Sequence, residues 1–209
     1  MARPKRTPTA GSRERVFAAA AAEFAAKGYA GANMDRIARA ARLNKAMIYY
    51  HFKNKAALYR AILRDMFGAV RTEVAAVAAS GLEPGEKIRR YVEGIARAAE
   101  ARPHFPPIWL RELAEGGEHV DAATLEYVRD VLTALGGIVN EGRRRGVFQP
   151  VNPMMLQAGI IAPLMFFLAT ARLRQKIERA GPSPLAVSRD TIVAHIQRLT
   201  LAQLEGRIS

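Results

Sequence analysis

Residues 33–55 read NMDRIARAARLNKAMIYYHFKNK, the pattern of a short helix, a tight turn and a second short helix. Asn33 suits the N-cap of the first helix, because its side-chain oxygen can accept one of the free backbone N–H groups there. Ile37, Ala38 and Ala41 then form an apolar strip, and the small Ala38 lets another helix cross closely. Asn44 caps the second helix in the same way. Ile48 and Phe52 lie four apart and face inward, which leaves Lys45, Ala46, Met47, Tyr50 and His51 on the accessible arc. Such an arc fits a major groove, with its N-terminal residues near base edges and Tyr50 and His51 beside the phosphates.

The charge around this segment agrees with a polyanionic partner. The chain has 209 residues with 32 Lys and Arg against 19 Asp and Glu, a formal surplus of thirteen positive charges. Residues 1–66 hold fourteen of the basic residues and only four of the acidic ones, so most of the surplus lies in the first third. A basic module on a nearly balanced body is the organisation implied. It divides into a basic arm over 1–11 that includes Arg3, Lys5 and Arg6, a DNA-binding helix-turn-helix domain over 12–54, and a body over 55–209. Cysteine is absent, which excludes disulfides, thiolate metal sites and a Cys nucleophile and fits a reducing compartment. No signal-peptide core follows the basic start, because Glu23 and Lys27 interrupt the Ala-rich run. A cytoplasmic location is the expectation.

Apolar residues recur at helical spacing through the rest of the chain, and no stretch alternates as a strand. The fold class expected is all-α, with about nine helices near 12–27, 34–41, 45–51, 55–79, 84–101, 106–115, 121–144, 153–174 and 184–205. The longest uncharged apolar run lies between Gln157 and Arg172 and has fourteen residues, short of the roughly 18 to 20 that span a bilayer. No membrane association is expected.

The 33–55 segment resembles the DNA-binding signature of the TetR family of transcriptional repressors. The resemblance is carried by Met34-Asp35-Arg36-Ile37-Ala38, by Asn44-Lys45-Ala46 and by Ile48-Tyr49-Tyr50-His51-Phe52-Lys53-Asn54-Lys55. Upstream, Phe17, Ala20, Ala21, Phe24 and Gly28-Tyr29 look like the family's first helix and its Gly-ended stop, so the likeness covers roughly residues 12–66. The resemblance implies a homodimer with a three-helix DNA-binding domain and a larger C-terminal domain that dimerises and holds an inducer. It places Lys45, Ala46, Met47 and Tyr49 at the bases, Tyr49 packing against the groove, and Asn33, Tyr50, His51 and Lys55 at phosphates. His51 also suits a helix C-cap. At the turn, Arg42 stands where the family often has Gly, and a left-handed backbone there costs about 1 kcal/mol for a non-glycine residue.

In the body, residues 153–174 leave almost no polar face, and a helix apolar all round must be covered on all sides. Ile160, Ile161, Leu164 and Phe166, with Ile192, Ile196 and Leu199 on the last helix, are therefore expected to build a two-fold four-helix dimer interface. Tyr91, Ile95, Trp109, Leu113, Tyr127, Val131, Leu135 and Phe167 combine apolar area with a few polar tips and are the expected walls of an effector site. Glu112, Glu115, Glu118 and His119 follow the only Trp. Glu115 and His119 are four apart, as a metal pair on one helix would be, but Gly116 and Gly117 interrupt that helix. The cluster reads as solvated acidic surface, and no metal or cofactor is expected.

None of the serines sits in a Gly-x-Ser-x-Gly elbow, and no Gly-rich phosphate loop occurs. The leading reading is a ligand-responsive homodimeric regulator on a pseudo-palindromic operator, released by a largely apolar small molecule. An effectorless architectural DNA binder and a metal-dependent or hydrolytic enzyme on the C-terminal helices are the competing classes. A two-fold footprint separates the first from both.

Overall fold

The structure, a computed structural model, describes residues 11–181 and 187–207. The basic run Arg3 to Arg6 lies outside the described residues. Among the described residues the chain is all helical, without a strand. The helices are α1 (Ser12–Gly31), α2 (Met34–Ala40), α3 (Lys45–His51), α4 (Lys55–Ala78), α5 (Pro84–Glu100), α6 (Phe105–Ala114), α7 (Ala122–Arg144), α8 (Pro153–Ala169), α9 (Ala171–Ala180) and α10 (Arg189–Leu204).

Ten helices replace the nine expected because the segment 153–174 is divided. Asn152 caps α8 by accepting from the backbone of Met154 and Met155, and Pro153 takes a first-turn position where its missing N–H costs nothing. The helix stops at Thr170, whose hydroxyl donates to the carbonyls of Phe166 at 2.7 Å and Phe167 at 3.3 Å. Hydroxyls bonded back to the preceding turn bend helices, and the axis turns by 53° into α9. The last helix was expected from 184; it is described from Arg189, where Ser188 caps it by accepting from Thr191 N–H. No single helix among the described residues is long and apolar enough to cross a membrane.

The chain forms two compact units. The first takes residues 11–65 of the described chain together with 107–121, and the second takes 66–106 with 122–181 and 187–207. In the first unit Val16, Ala20, Phe24, Ile37, Ile48, Leu58, Ile62 and Leu63 are buried to the point of near-zero exposure. Phe24, Tyr29 and Tyr59 add an aromatic cluster, with edge contacts at 4.8 Å between Phe24 and Tyr59 and 5.1 Å between Tyr29 and Tyr59. Gly28 has φ 69°, which ends the regular part of α1. The carbonyls left open by that break are met by Arg111 from α6, whose guanidinium donates to Ala25 at 2.9 Å and Phe24 at 3.3 Å.

In the second unit α5 packs on α7 and α10, and α8 packs on the same two helices. The pattern of α5 explains its place: Ile88, Tyr91, Val92, Ile95 and Ala99 are buried while Arg89, Arg90 and Arg97 are exposed. Ionic links, among them those of Lys87 and Arg189, join its helices. Lys87, nearly buried, donates to Glu141 at 2.7 Å and to the Ala78 carbonyl at 3.2 Å, so its charge is both paired and hydrogen-bonded. Arg189 at the start of α10 bridges Glu93 and Glu100 of α5.

Candidate nucleic-acid interface

The recognition segment is held by caps and by a buried ridge. Asn33 accepts from the backbone of Asp35 at 2.7 Å and Arg36 at 3.3 Å, and Asn44 accepts from Met47 at 2.9 Å. Ile48 is fully buried and Phe52 nearly so, which fixes the rotation of α3. The arc expected to face outward is exposed at Lys45, Ala46 and Tyr50, and half-buried at Met47 and His51. Tyr50 is 70% and Tyr49 45% exposed, unusual for large aromatic side chains unless a partner covers them.

The turn keeps its shape in spite of Arg42. Arg42 has φ 55°, the one non-glycine with positive φ among the described residues. Its strain, roughly 1 kcal/mol, is opposed by the hydrogen bonds that close the end of α2, Leu43 N–H to the Ala38 carbonyl at 3.0 Å and Arg42 N–H to the Arg39 carbonyl at 3.1 Å.

Several contacts around this segment were not legible in the sequence. His51 Nε2 lies 2.6 Å from the hydroxyl of Ser12, a residue almost wholly buried at the start of α1, so this imidazole ties the end of α3 to α1. Lys45 Nζ donates to Asp35 at 3.1 Å, and that carboxylate holds the Lys45 ammonium above its usual pKa. Arg36 bonds Glu23 and the Gly31 carbonyl, and Glu23 also accepts from Asn33 N–H at 3.1 Å. Lys55 donates to the Ala30 carbonyl at 3.3 Å and sits 4.8 Å from the Tyr29 ring centre, which fixes its ammonium at the start of α4. The Ser12–His51 and Ala30–Lys55 pairs are 39 and 25 positions apart, and nothing in spacing or composition marks them.

Asn44→Ala gives a direct check on the cap. It is expected to destabilise α3 by about 1 kcal/mol. Hydrogen exchange at the amides of 45–52 should accelerate while that of α5 and α7 stays unchanged.

The expected effector residues fall into both units. Trp109 and Leu113 lie in the first, and Leu113 is exposed. The other six lie in the second. Tyr91, Ile95 and Leu135 are fully buried and Val131 nearly so, and the Tyr91 hydroxyl donates to Gln157 at 2.8 Å and Val131 O at 3.2 Å. Tyr127 faces the Arg71 guanidinium at 5.0 Å, and Phe167 that of Arg174 at 3.8 Å. Of the residues expected between two protomers, Ile160, Leu164 and Ile196 are consumed by the protomer's own core, while Ile161 and Ile192 are half-buried. Phe166 and Leu199 remain outside, 69% and 48% exposed. Glu112, read from sequence as part of a solvated surface, is fully buried: the chain reverses after α6 and returns His119 over it.

Known proteins share this arrangement. Residues 16–62 match the model of bacterial regulatory proteins of the tetR family, and residues 84–180 match that of the tetracyclin repressor-like C-terminal domain. The chain is similar to the HTH-type transcriptional repressor SCO4008 of Streptomyces coelicolor, 31% identical over 164 residues that cover 77% of this chain and 75% of the relative. It is similar also to the HTH-type transcriptional repressor NicS of Pseudomonas putida, 24% identical over 165 residues that cover 77% of each chain. The solved structure of the TetR family transcriptional regulator PfmR from Thermus thermophilus has a TM-score of 0.70 at 22% identity, over 93% of this chain and 100% of that one. Family models that match both parts of the chain, and a relative 31% identical over three quarters of its own length, make this chain a member of the TetR family of transcriptional regulators.

Proposed function

We propose that the chain is a homodimeric repressor of the cytoplasm, that it binds a pseudo-palindromic operator, and that a largely apolar small molecule releases it. The observation that carries this reading is the exposed arc of Lys45, Ala46, Tyr49 and Tyr50 on a helix whose opposite side is locked by Ile48, Phe52 and the Ser12–His51 contact. In this reading Lys45, Ala46, Met47 and Tyr49 meet base edges, while Asn33, Tyr50 and Lys55 meet phosphates. His51 serves the phosphates chiefly by holding the end of α3 in place. Two-fold symmetry then sets the operator: two copies of α3 enter major grooves one helical turn or a multiple apart.

The effector proposed is apolar because the interior of the second unit is apolar apart from few polar tips, of which the Tyr91–Gln157 pair is one. Release requires that the ligand favour a conformation with lower operator affinity, and the preference must equal the loss in operator binding free energy.

The test is a footprint on the DNA flanking the protein's own gene, followed by release assays. A protected region with two-fold symmetry, released by lipophilic compounds, is the expected result. Uniform protection of any duplex would leave an architectural protein instead, and release by small polar acids alone would overturn the apolar effector.

A further inference from the structure

The reversal after α6 builds a side-chain cluster that DNA reading does not use. α6 ends at Ala114, and Gly116 and Gly117 both take left-handed backbone, φ 76° and 79°, so the chain turns back on itself. The Gly pair that interrupts a helix through Glu115 and His119 is therefore the feature that seats His119 over Glu112. The Glu112 carboxylate is fully buried, and its Oε1 accepts the His119 backbone N–H at 2.6 Å. Its Oε2 accepts the Tyr59 hydroxyl at 2.8 Å and lies 3.2 Å from His119 Nδ1. Exposed Glu115 adds a second carboxylate, and one donor atom from each of Glu112, Glu115 and His119 lies within 4.8 Å of the others.

We propose that Glu112, Glu115 and His119 bind a first-row divalent transition-metal ion of the zinc type, with water completing its coordination. Three features of the cluster support this. An imidazole with two carboxylates suits zinc and its neighbours, whereas calcium and magnesium take oxygen donors alone. Donor atoms about 2.0–2.2 Å from one ion are separated by roughly 3 to 4 Å, and the 3.2 Å between Nδ1 and Oε2 already meets that spacing. Finally, Glu112 is oriented from behind by a hydroxyl and a backbone amide, as ligating carboxylates are.

The charge balance points the same way. A buried carboxylate is costly unless it is paired, yet the groups holding Glu112 are two neutral donors and an imidazole. Neighbouring Arg111 donates instead to the α1 carbonyls. The imidazole is placed by the opposite wall, its ring centre 3.9 Å from that of Tyr29. The site is independent of the operator reading, since none of its ligands lies on α2 or α3.

The test uses the full chain, stripped with a chelator, titrated with Zn2+ by calorimetry and with Co2+ by visible absorption. One ion per chain and d–d bands typical of low-coordinate Co2+ are expected. Both should vanish in His119→Ala and Glu115→Gln, two changes at incompletely buried positions that leave the fold intact by circular dichroism, and both should persist in Glu118→Gln. Tyr59→Phe should weaken binding roughly 10- to 100-fold by removing the group behind Glu112. Failure of the stripped chain to take up either ion would overturn the proposal. So would stoichiometric binding unchanged in both His119→Ala and Glu115→Gln, which would put the ion elsewhere.

Discussion

Phe166→Asp is expected to leave the chain folded but monomeric, and to lower affinity for a two-half-site operator by about 10²- to 10⁴-fold, the advantage that linking two reading heads confers. Phe166 is 69% exposed on α8, with Met155 at 66% about three turns earlier and Leu199 at 48% on the neighbouring α10. Gly159 and Ala162, also exposed, let another helix approach along the same side. In an isologous interface the substitution appears twice, so two carboxylates are buried without partners where two rings had been. Ile160→Asp is the contrast within the same helix. Ile160 has no exposure in the protomer, so its replacement should depress the melting temperature before it affects assembly. Sedimentation and thermal melts of the two variants separate the outcomes; a Phe166→Asp protein that stays dimeric with full operator affinity would place the two-fold face elsewhere.

That contrast shows where sequence reasoning loses its grip. In α2 and α3 the apolar and polar residues are segregated, and the capping asparagines mark the helix starts, so Asn33, Asn44, Ile48 and Phe52 could be assigned from spacing alone. In α8 nearly every residue is apolar, so periodicity carries no direction. Ile160 and Phe166 look equivalent in the sequence and differ completely in exposure. Contacts of long range are equally silent. The attachment of 107–121 to the first unit rests on Arg111 with Ala25 and Tyr59 with Glu112, pairs separated by 86 and 53 positions. Nor does a pair of glycines reveal whether it ends a helix into solvent or folds it back, and at Gly116-Gly117 that difference buries the Glu112 carboxylate beneath His119 while Glu115 and Glu118 stay exposed.

The recognition helix offers the sharpest separation between positioning and reading. Lys45 stands at the N-terminal end of α3, where helix residues approach base edges, and its ammonium is engaged by Asp35 at 3.1 Å. That pair is solvent-exposed, with 45% and 60% of its two side chains accessible, so exchanging Asp35 for a base costs little. A Lys on guanine O6 or N7 gains more, and Lys45→Ala should therefore relax preference at one base pair in each half-site by roughly 1 to 3 kcal/mol. Met47→Ala should matter less, because a half-buried thioether offers apolar contact only. Lys55 behaves differently. It lies at the start of α4 rather than on α3, and its ammonium is fixed between the Ala30 carbonyl and the Tyr29 ring. Lys55→Ala should therefore weaken all duplexes alike and reduce the log–log salt slope by about 0.9 for each phosphate no longer neutralised. Tyr50→Phe should likewise lower affinity without altering preference. Titration of each variant against single-base operator variants at two salt concentrations decides between these roles. If Lys45→Ala lowered affinity equally for every sequence while Lys55→Ala changed base preference, the two faces of the reading head would have to be exchanged.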